Sequence, residues 1–378
     1  MQKTLGLYIH IPFCEKKCDY CNFVSYCTEG DEKREYVNDL IREIQMQGAK
    51  YGDYQVDSVF VGGGTPTCLG DGLLLMVMQA VYLNFKVVSG AEITVECNPN
   101  SLTVAKLLEL KKAQVNRLSI GLQAYNNKTL KKIGRLHSKK QFDECYKSAR
   151  AFGFENISVD LILGLPNQKL FDIKKELHHL VKLGVNHISA YGLILEEKTK
   201  LFGDVESGKT KLPSEEKSLK MYQITKKYLQ KKGYFRYEVS NFAQSGYESK
   251  HNLKYWQDKE YLGLGVVSSS YVDGKRWKNV DDLNAYADAI KQNKIEICEE
   301  EIVDTNAKIE ESIMLGLRTS FGIDLQKLKT ACGYDLLKEK QKEIDDLIAQ
   351  NLVKIENDWL FCTDRGFEVL NQIVLQLV

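Results

Sequence analysis

Six short apolar, β-branched runs recur between the N-terminus and about residue 195, at 7–11, 58–61, 93–95, 117–120, 157–161 and 187–191. Segments 33–48, 73–83, 104–112, 127–152 and 171–183 separate them and carry apolar residues at helical spacing. Strands alternating with helices predict right-handed βαβ units and a parallel sheet. A closed β/α barrel needs eight such units, so six predict an α/β fold built as an incomplete, TIM-like (β/α)6 barrel. Residues suited to binding follow the strands in turn: a cysteine loop after the first, Gly62 to Thr67 after the second, and Glu96 and Asn98 after the third. Gln123 follows the fourth, Asp160 lies in the fifth and Tyr191 ends the sixth. Such barrels gather chemistry at the carboxyl ends of their strands, which is where a site is expected.

The cysteine loop, YIHIPFCEKKCDYCNF, spaces Cys14, Cys18 and Cys21 as C-x3-C-x2-C. Cubane iron-sulfur clusters take four cysteines, so three with no fourth thiol close by leave one iron open to a small-molecule ligand. The alternative, zinc, would favour C-x2-C pairs and a fourth Cys or His. His10 is the nearest candidate, and strand alternation is expected to point it away from the loop. The other seven cysteines are scattered without a disulfide-framework spacing, which fits a reducing cytoplasm.

Basic and acidic residues nearly cancel, 52 against 51, giving no electrostatic reason to expect a polyanionic partner. The opening MQKTLGLYIHIPFC has no long apolar core and no small-residue cleavage site of a signal peptide. The longest apolar stretch, 73–83, is interrupted by Gln79 and falls far short of the roughly 20 residues that cross a bilayer. A cytoplasmic protein, at most peripheral to a membrane through a partner, is expected.

From Pro213 the pattern changes, and three units are expected: a partial barrel at 1–212, a linking and ligand-handling region at 213–304 and a C-terminal module at 305–378. The last reads as helices 306–317 and 336–350, a β pair in LVKIENDWLFC and a closing helix 364–376, the order of a winged helix within an α+β region. It carries nine basic and twelve acidic residues, the wrong sign for phosphate contacts, so packing or partner docking is expected and nucleic acid is not.

The C-x3-C-x2-C loop resembles that of the radical S-adenosylmethionine (radical SAM) superfamily. The wording YIHIPFC, with GGGTPT at 62–67 and HNLKYW at 251–256, narrows the resemblance to the oxygen-independent coproporphyrinogen III oxidase-like family over nearly the whole chain. That resemblance implies a [4Fe-4S] cluster on Cys14, Cys18 and Cys21, with SAM chelating the fourth iron. It implies that Tyr20 packs against the SAM adenine and that the stretch holding Gly63, Gly64 and Thr65 meets the methionine amino group. It also assigns Tyr8, Glu96, Gln123, Arg135 and Asp160 to SAM. Dehydrogenases of the family carry a C-x-C ending to the loop and a long N-terminal extension. Here Asn22 and Phe23 follow Cys21 and thirteen residues precede Cys14, which favours the heme-chaperone branch. HNLKYW matches an H-N-x-x-Y-W pattern associated with heme handling, with His251 the natural axial ligand because neutral imidazole binds heme iron. One departure is GLGVVSSS at 263–270, where the family usually reads G-x-G-A-H-S. The implied function is delivery of heme to apo-cytochromes of a respiratory chain. The alternatives are a coproporphyrinogen III dehydrogenase, another radical SAM enzyme acting on a tetrapyrrole, or a zinc-bearing scaffold.

Overall fold

The computed structural model describes residues 3–28 and 30–378. Six parallel strands stand in sequence order, β1 (Thr4–Ile11), β2 (Gln55–Gly63), β3 (Lys86–Cys97), β4 (Arg117–Gln123), β5 (Asn156–Leu163) and β6 (His187–Gly192). They do not close on themselves. β6 is followed in the sheet by antiparallel β8 (Asn241–Ala243) and then β7 (Phe235–Arg236). On the other side β1 pairs with β9 (Tyr261–Leu264), which leads to β10 (Ser269–Val272), β11 (Lys275–Asn279) and β12 (Ile297–Ile302). The result is a partial barrel extended at both edges.

The expected linking region at 213–304 is therefore no separate unit. Its strands complete the main sheet, and Leu262, Trp277 and Ile290 belong to the same apolar core as Leu5. Sequence periodicity could not show this, because the β1–β9 pairing joins residues about 255 positions apart along the chain.

Alternation along the strands separates two faces. Leu5, Leu7, Ile9 and Ile11 on β1, Val59 and Val61 on β2, and Leu118, Ile120 and Leu122 on β4 are fully buried in the core that the helices cover. The intervening residues are largely polar: Tyr8, His10, Ser58, Glu92, Glu96, Arg117, Ser119, Asp160 and Ser189. Parallel sheets are ordinarily apolar on both faces. A polar inner face leaves a barrel interior that can take a polar ligand.

One end of that interior is closed by the helix Lys250–Trp256. The Ser249 side chain caps it, and the Glu92 carboxylate accepts from the backbone N–H groups of Lys250 and His251 at 3.1 and 3.0 Å. An acceptor anion at a helix start satisfies orphan donors and complements the dipole. Glu92 is 5 % exposed and lies 4.0 Å from Arg117, itself 2 % exposed. Glu92→Ala should therefore cost on the order of 3–5 kcal/mol, as expected when one partner of a buried ion pair is removed. Glu92→Gln, which keeps an acceptor for the helix, should lose less. Chemical denaturation reads the difference, and equal midpoints for wild type and Glu92→Ala would exclude this anchoring.

The expected helix 127–152 is two helices, Asn127–Lys132 and Lys139–Ala151. Gly134 breaks it at φ 77°, in the left-handed region, and Ser138 with Gln141 forms a capping box that restarts it. The break is what brings Arg135 to the barrel mouth. The C-terminal module has its own apolar core, which includes Ile313, Leu347, Leu360 and Ile373. Its helices Thr305–Leu317, Leu325–Cys332 and Gln341–Ala349 pack with β13 (Ile323–Asp324), β14 (Val353–Glu356) and β15 (Trp359–Cys362) in the order β13-β15-β14. Among the described residues no helix is long and apolar enough to cross a membrane.

Candidate active site at the open strand ends

The chain leaves β1 at Pro12 and returns at Tyr26, where the Tyr26 N–H donates to the Pro12 carbonyl at 2.7 Å and the Cys14 N–H to the Tyr26 carbonyl at 3.0 Å. Within this closed base the Cys21 N–H donates to the Cys18 carbonyl at 3.1 Å, a tight turn that presents the two side chains together. Asp19 N–H reaches the Ile133 carbonyl at 3.0 Å and ties the loop to the helix break carrying Arg135. All three thiols are half-buried, and burial raises the pKa of Cys14 and Cys21. Three soft sulfur donors on one loop suit a thiophilic iron cluster. Among the described residues no three His, Cys, Asp or Glu side chains converge on a site for a single metal ion.

The glycine turn packs directly on this loop. The Gly64 N–H donates to the Ile11 carbonyl at 2.8 Å and the Thr65 N–H to the Phe13 carbonyl at 2.7 Å. Gly63, at φ 109°, donates its N–H to Glu96 Oε2 at 3.1 Å. These three donors are thus committed inside the protein, and the backbone groups the turn can still turn outward are carbonyl oxygens. Acceptors of that kind suit a protonated amine.

His10 departs from expectation. Its ring faces the barrel interior beneath Gly63, where a Cβ would lie 2.5 Å from its Cε1. It is 7 % exposed, hydrogen-bonded to Tyr8 Oη at 3.0 Å through Nδ1, and burial lowers its pKa to about 4. Tyr8 in turn stacks on Phe60.

The two carboxylates expected at the strand ends share the interior. Burial, reinforced by the nearby Asp160 charge, pushes Glu96 up to about 8. Asp160 is raised by burial as well, and accepts from Ser119 Oγ at 3.2 Å. Two buried carboxyl groups, one of whose charge is further disfavoured by the other, mark a place prepared for donors such as hydroxyls or a cation. Tyr20 packs beside a small apolar cluster of Ala124, Leu130, Ile133, Ile162 and Leu165, with Leu193. That cluster gives a flat ring an apolar slot. Gln123 lies at a bulge where β4 loses register with β5, and its φ of 67° turns its side chain back toward Gly121. A Cβ at Gly121 would sit 2.8 Å from Gln123 Nε2 and 3.0 Å from Arg135 Nη2, so a side chain there would displace the ends of both.

Similarity to known proteins follows the same map. Residues 8–180 match the radical SAM superfamily and residues 303–369 the HemN C-terminal domain. The chain is 36% identical over 367 residues to the heme chaperone HemW of Bacillus subtilis, covering 97% of each chain. It is 36% identical to the heme chaperone HemW of Lactococcus lactis, over 99% of this chain and 97% of that one. The chain belongs to the HemW family of radical SAM proteins. Its fold is that of Escherichia coli coproporphyrinogen III oxidase (HemN), with a TM-score of 0.87 at 23% identity, covering all of this chain and 90% of the other. A mouse relative, the mitochondrial radical S-adenosyl methionine domain-containing protein 1, is 32% identical over 99% of this chain and 87% of its own length.

Within this HemW-family chain, His251 does not present the free imidazole expected of a heme ligand. It is fully buried in the helix that closes the barrel. Nδ1 lies 3.0 Å from Ser58 Oγ and Nε2 2.9 Å from Tyr255 Oη, so both ring nitrogens are engaged. Its ring stacks on Phe60, and burial lowers its pKa to about 3. The motif is legible as a sequence, but its burial follows from packing against β2 and β3. Two residues left out of the expected SAM set, Asn98 and Ser119, belong to the site by their contacts. Asn98 follows β3, the position that already set it among the residues suited to binding, whereas Ser119 lies within β4 and only its contact with Asp160 marks it.

Proposed function

We propose that this chain is a radical SAM heme chaperone that holds a [4Fe-4S] cluster on Cys14, Cys18 and Cys21, binds SAM beside it and carries heme to an apo-cytochrome. The observation that carries this reading is the packing of the three-cysteine loop directly on the glycine turn, with the buried carboxyl groups of Glu96 and Asp160 in the interior beside that turn. The proteins named heme chaperone that this chain matches over almost its full length support the heme step.

In this reading Glu96 and Asp160 accept the ribose hydroxyls, the turn at Gly63 and Gly64 faces the methionine amino group, and Arg135 faces the carboxylate, a charge-assisted pairing. Tyr20 with Ile162 and Leu193 covers the adenine, while Tyr8 and Gln123 close the pocket. The cluster and SAM, when bound, supply one-electron chemistry at low potential. The protein supplies placement and exclusion of water. Any membrane contact would come through the acceptor.

The test is anaerobically reconstituted protein mixed separately with heme and with coproporphyrinogen III. Stable heme binding without protoporphyrinogen formation is expected, under conditions in which a genuine dehydrogenase turns over. Because both nitrogens of His251 are engaged, the heme absorption spectrum should survive His251→Ala. Protoporphyrinogen formation would transfer the chain to the dehydrogenase reading, and loss of the heme spectrum only in His251→Ala would show that the closing helix opens to present that imidazole.

A further inference from the structure

Two of the three cluster cysteines are joined by a chain of hydrogen bonds that runs through three strand ends. Cys14 Sγ lies 3.5 Å from Thr65 Oγ1. Thr65 Oγ1 lies 2.9 Å from Asn98 Nδ2, and Asn98 Oδ1 lies 2.6 Å from Arg135 Nη2. Arg135 Nη1 then lies 3.7 Å from Cys18 Sγ.

The direction of every bond in this chain can be assigned. A guanidinium only donates, so the Asn98 atom facing Arg135 is its carbonyl oxygen and the atom facing Thr65 is its NH2. Thr65 Oγ1 accepts from that NH2, which leaves its single proton free for Cys14 Sγ. Arg135 Nη2 is shared between Asn98 and the Gly121 carbonyl, so Nη1 is the arm left for Cys18. Asn98 is itself held. Its N–H reaches Thr67 Oγ1 at 3.4 Å, and Ser101 Oγ donates to its carbonyl at 3.3 Å.

We propose that Asn98 is a positioning residue for the cluster: one amide aims a hydroxyl donor at Cys14 and a guanidinium donor at Cys18. The inference rests on the cluster reading above. Donors to cysteine sulfur stabilise the more negative, reduced form of a cluster and so raise its potential. Asn98 thereby sets the potential on two of the three protein-held corners while touching neither sulfur.

The conservative variant Asn98→Asp separates this role from simple structure. A carboxylate still accepts from Arg135 but cannot donate to Thr65, whose proton it would draw away from Cys14. Asn98→Asp should assemble the full cluster, shift its midpoint to more negative potential and alter its reduced EPR spectrum. Thr65→Val, which deletes the hydroxyl, should produce a similar shift. The double variant should shift little further than either single one, because both act through one bond.

Iron content, redox titration and EPR of the four proteins decide the matter. An unchanged midpoint and spectrum in Asn98→Asp, or fully additive shifts in the double variant, would overturn the positioning role and leave the cluster reading intact. Wild type that reconstitutes no iron would overturn the cluster reading itself.

Discussion

Replacing Cys14, Cys18 or Cys21 singly by serine is expected to take the reconstituted protein from about four irons per chain, the content of a cubane, to essentially none. The three thiols sit on one loop whose base is pinned at Cys14 and Tyr26. Two thiolates cannot hold a cubane against an exogenous ligand on each remaining iron. Cys298→Ser is the control, since Cys298 is exposed on edge strand β12, where its Sγ reaches the carbonyls of Lys278 and Asn279 at 3.6 and 3.4 Å. Iron and sulfide assays with visible absorption read the outcome. A full cluster in any of the three serine variants would remove that residue from the ligand set, and stoichiometric zinc in iron-replete cells would restore the scaffold alternative.

Gly64→Val should abolish the cluster together with SAM binding, although position 64 holds no iron ligand. A Cβ at Gly64 would lie 2.5 Å from the Phe13 carbonyl oxygen and 2.9 Å from the Phe13 backbone C and N. Backbone at that distance has to move. Phe13 cannot yield easily, because it is 1 % exposed and packed edge-on against Tyr36 at 5.3 Å, and it directly precedes Cys14. The Thr65 N–H bond to the Phe13 carbonyl would be lost with the same shift. From the motif alone a valine at 64 would be expected to block SAM and spare the cluster. The packing shows instead that turn and loop form one body.

Asp160→Ala provides the contrast. Its carboxylate accepts from Ser119 on the neighbouring strand and is no iron ligand, so cluster content should stay at wild type while SAM affinity falls roughly tenfold or more, as for loss of a hydrogen bond to a charged group. Equilibrium binding to the reconstituted variants distinguishes the two cases. A Gly64→Val protein with its full iron content, or an Asp160→Ala protein with unchanged SAM affinity, would refute the corresponding assignment.

Local rules determined much of this protein without any coordinates. The alternation of β-branched runs with amphipathic segments specified six parallel strands, because each unit advertises its own period of 2 or 3.6. The C-x3-C-x2-C spacing marked the three thiols proposed here to hold a cluster, since residues on one short loop are kept near one another by chain connectivity alone. The first helix and the β14–β15 pair of the C-terminal module were legible for the same reason, whereas β13 and helix Leu325–Cys332 between them were not. What depends on residues distant in sequence was not. The pairing of β9 with β1, which builds 213–304 into the main sheet, is a contact between segments that share no local period. The break at Gly134 that delivers Arg135 interrupts a stretch whose apolar spacing reads as one continuous helix. His251 looked like a ligand because imidazole is one chemically, and only the tertiary structure decided that Ser58 and Tyr255 occupy both its nitrogens. Asn98 carried no motif, and its place between Thr65 and Arg135 exists only once β2, β3 and the loop after β4 lie side by side. Sequence periodicity selects which groups face the barrel interior, whereas the distances that let those groups act on one another are set by the pairing and packing of elements far apart in the chain.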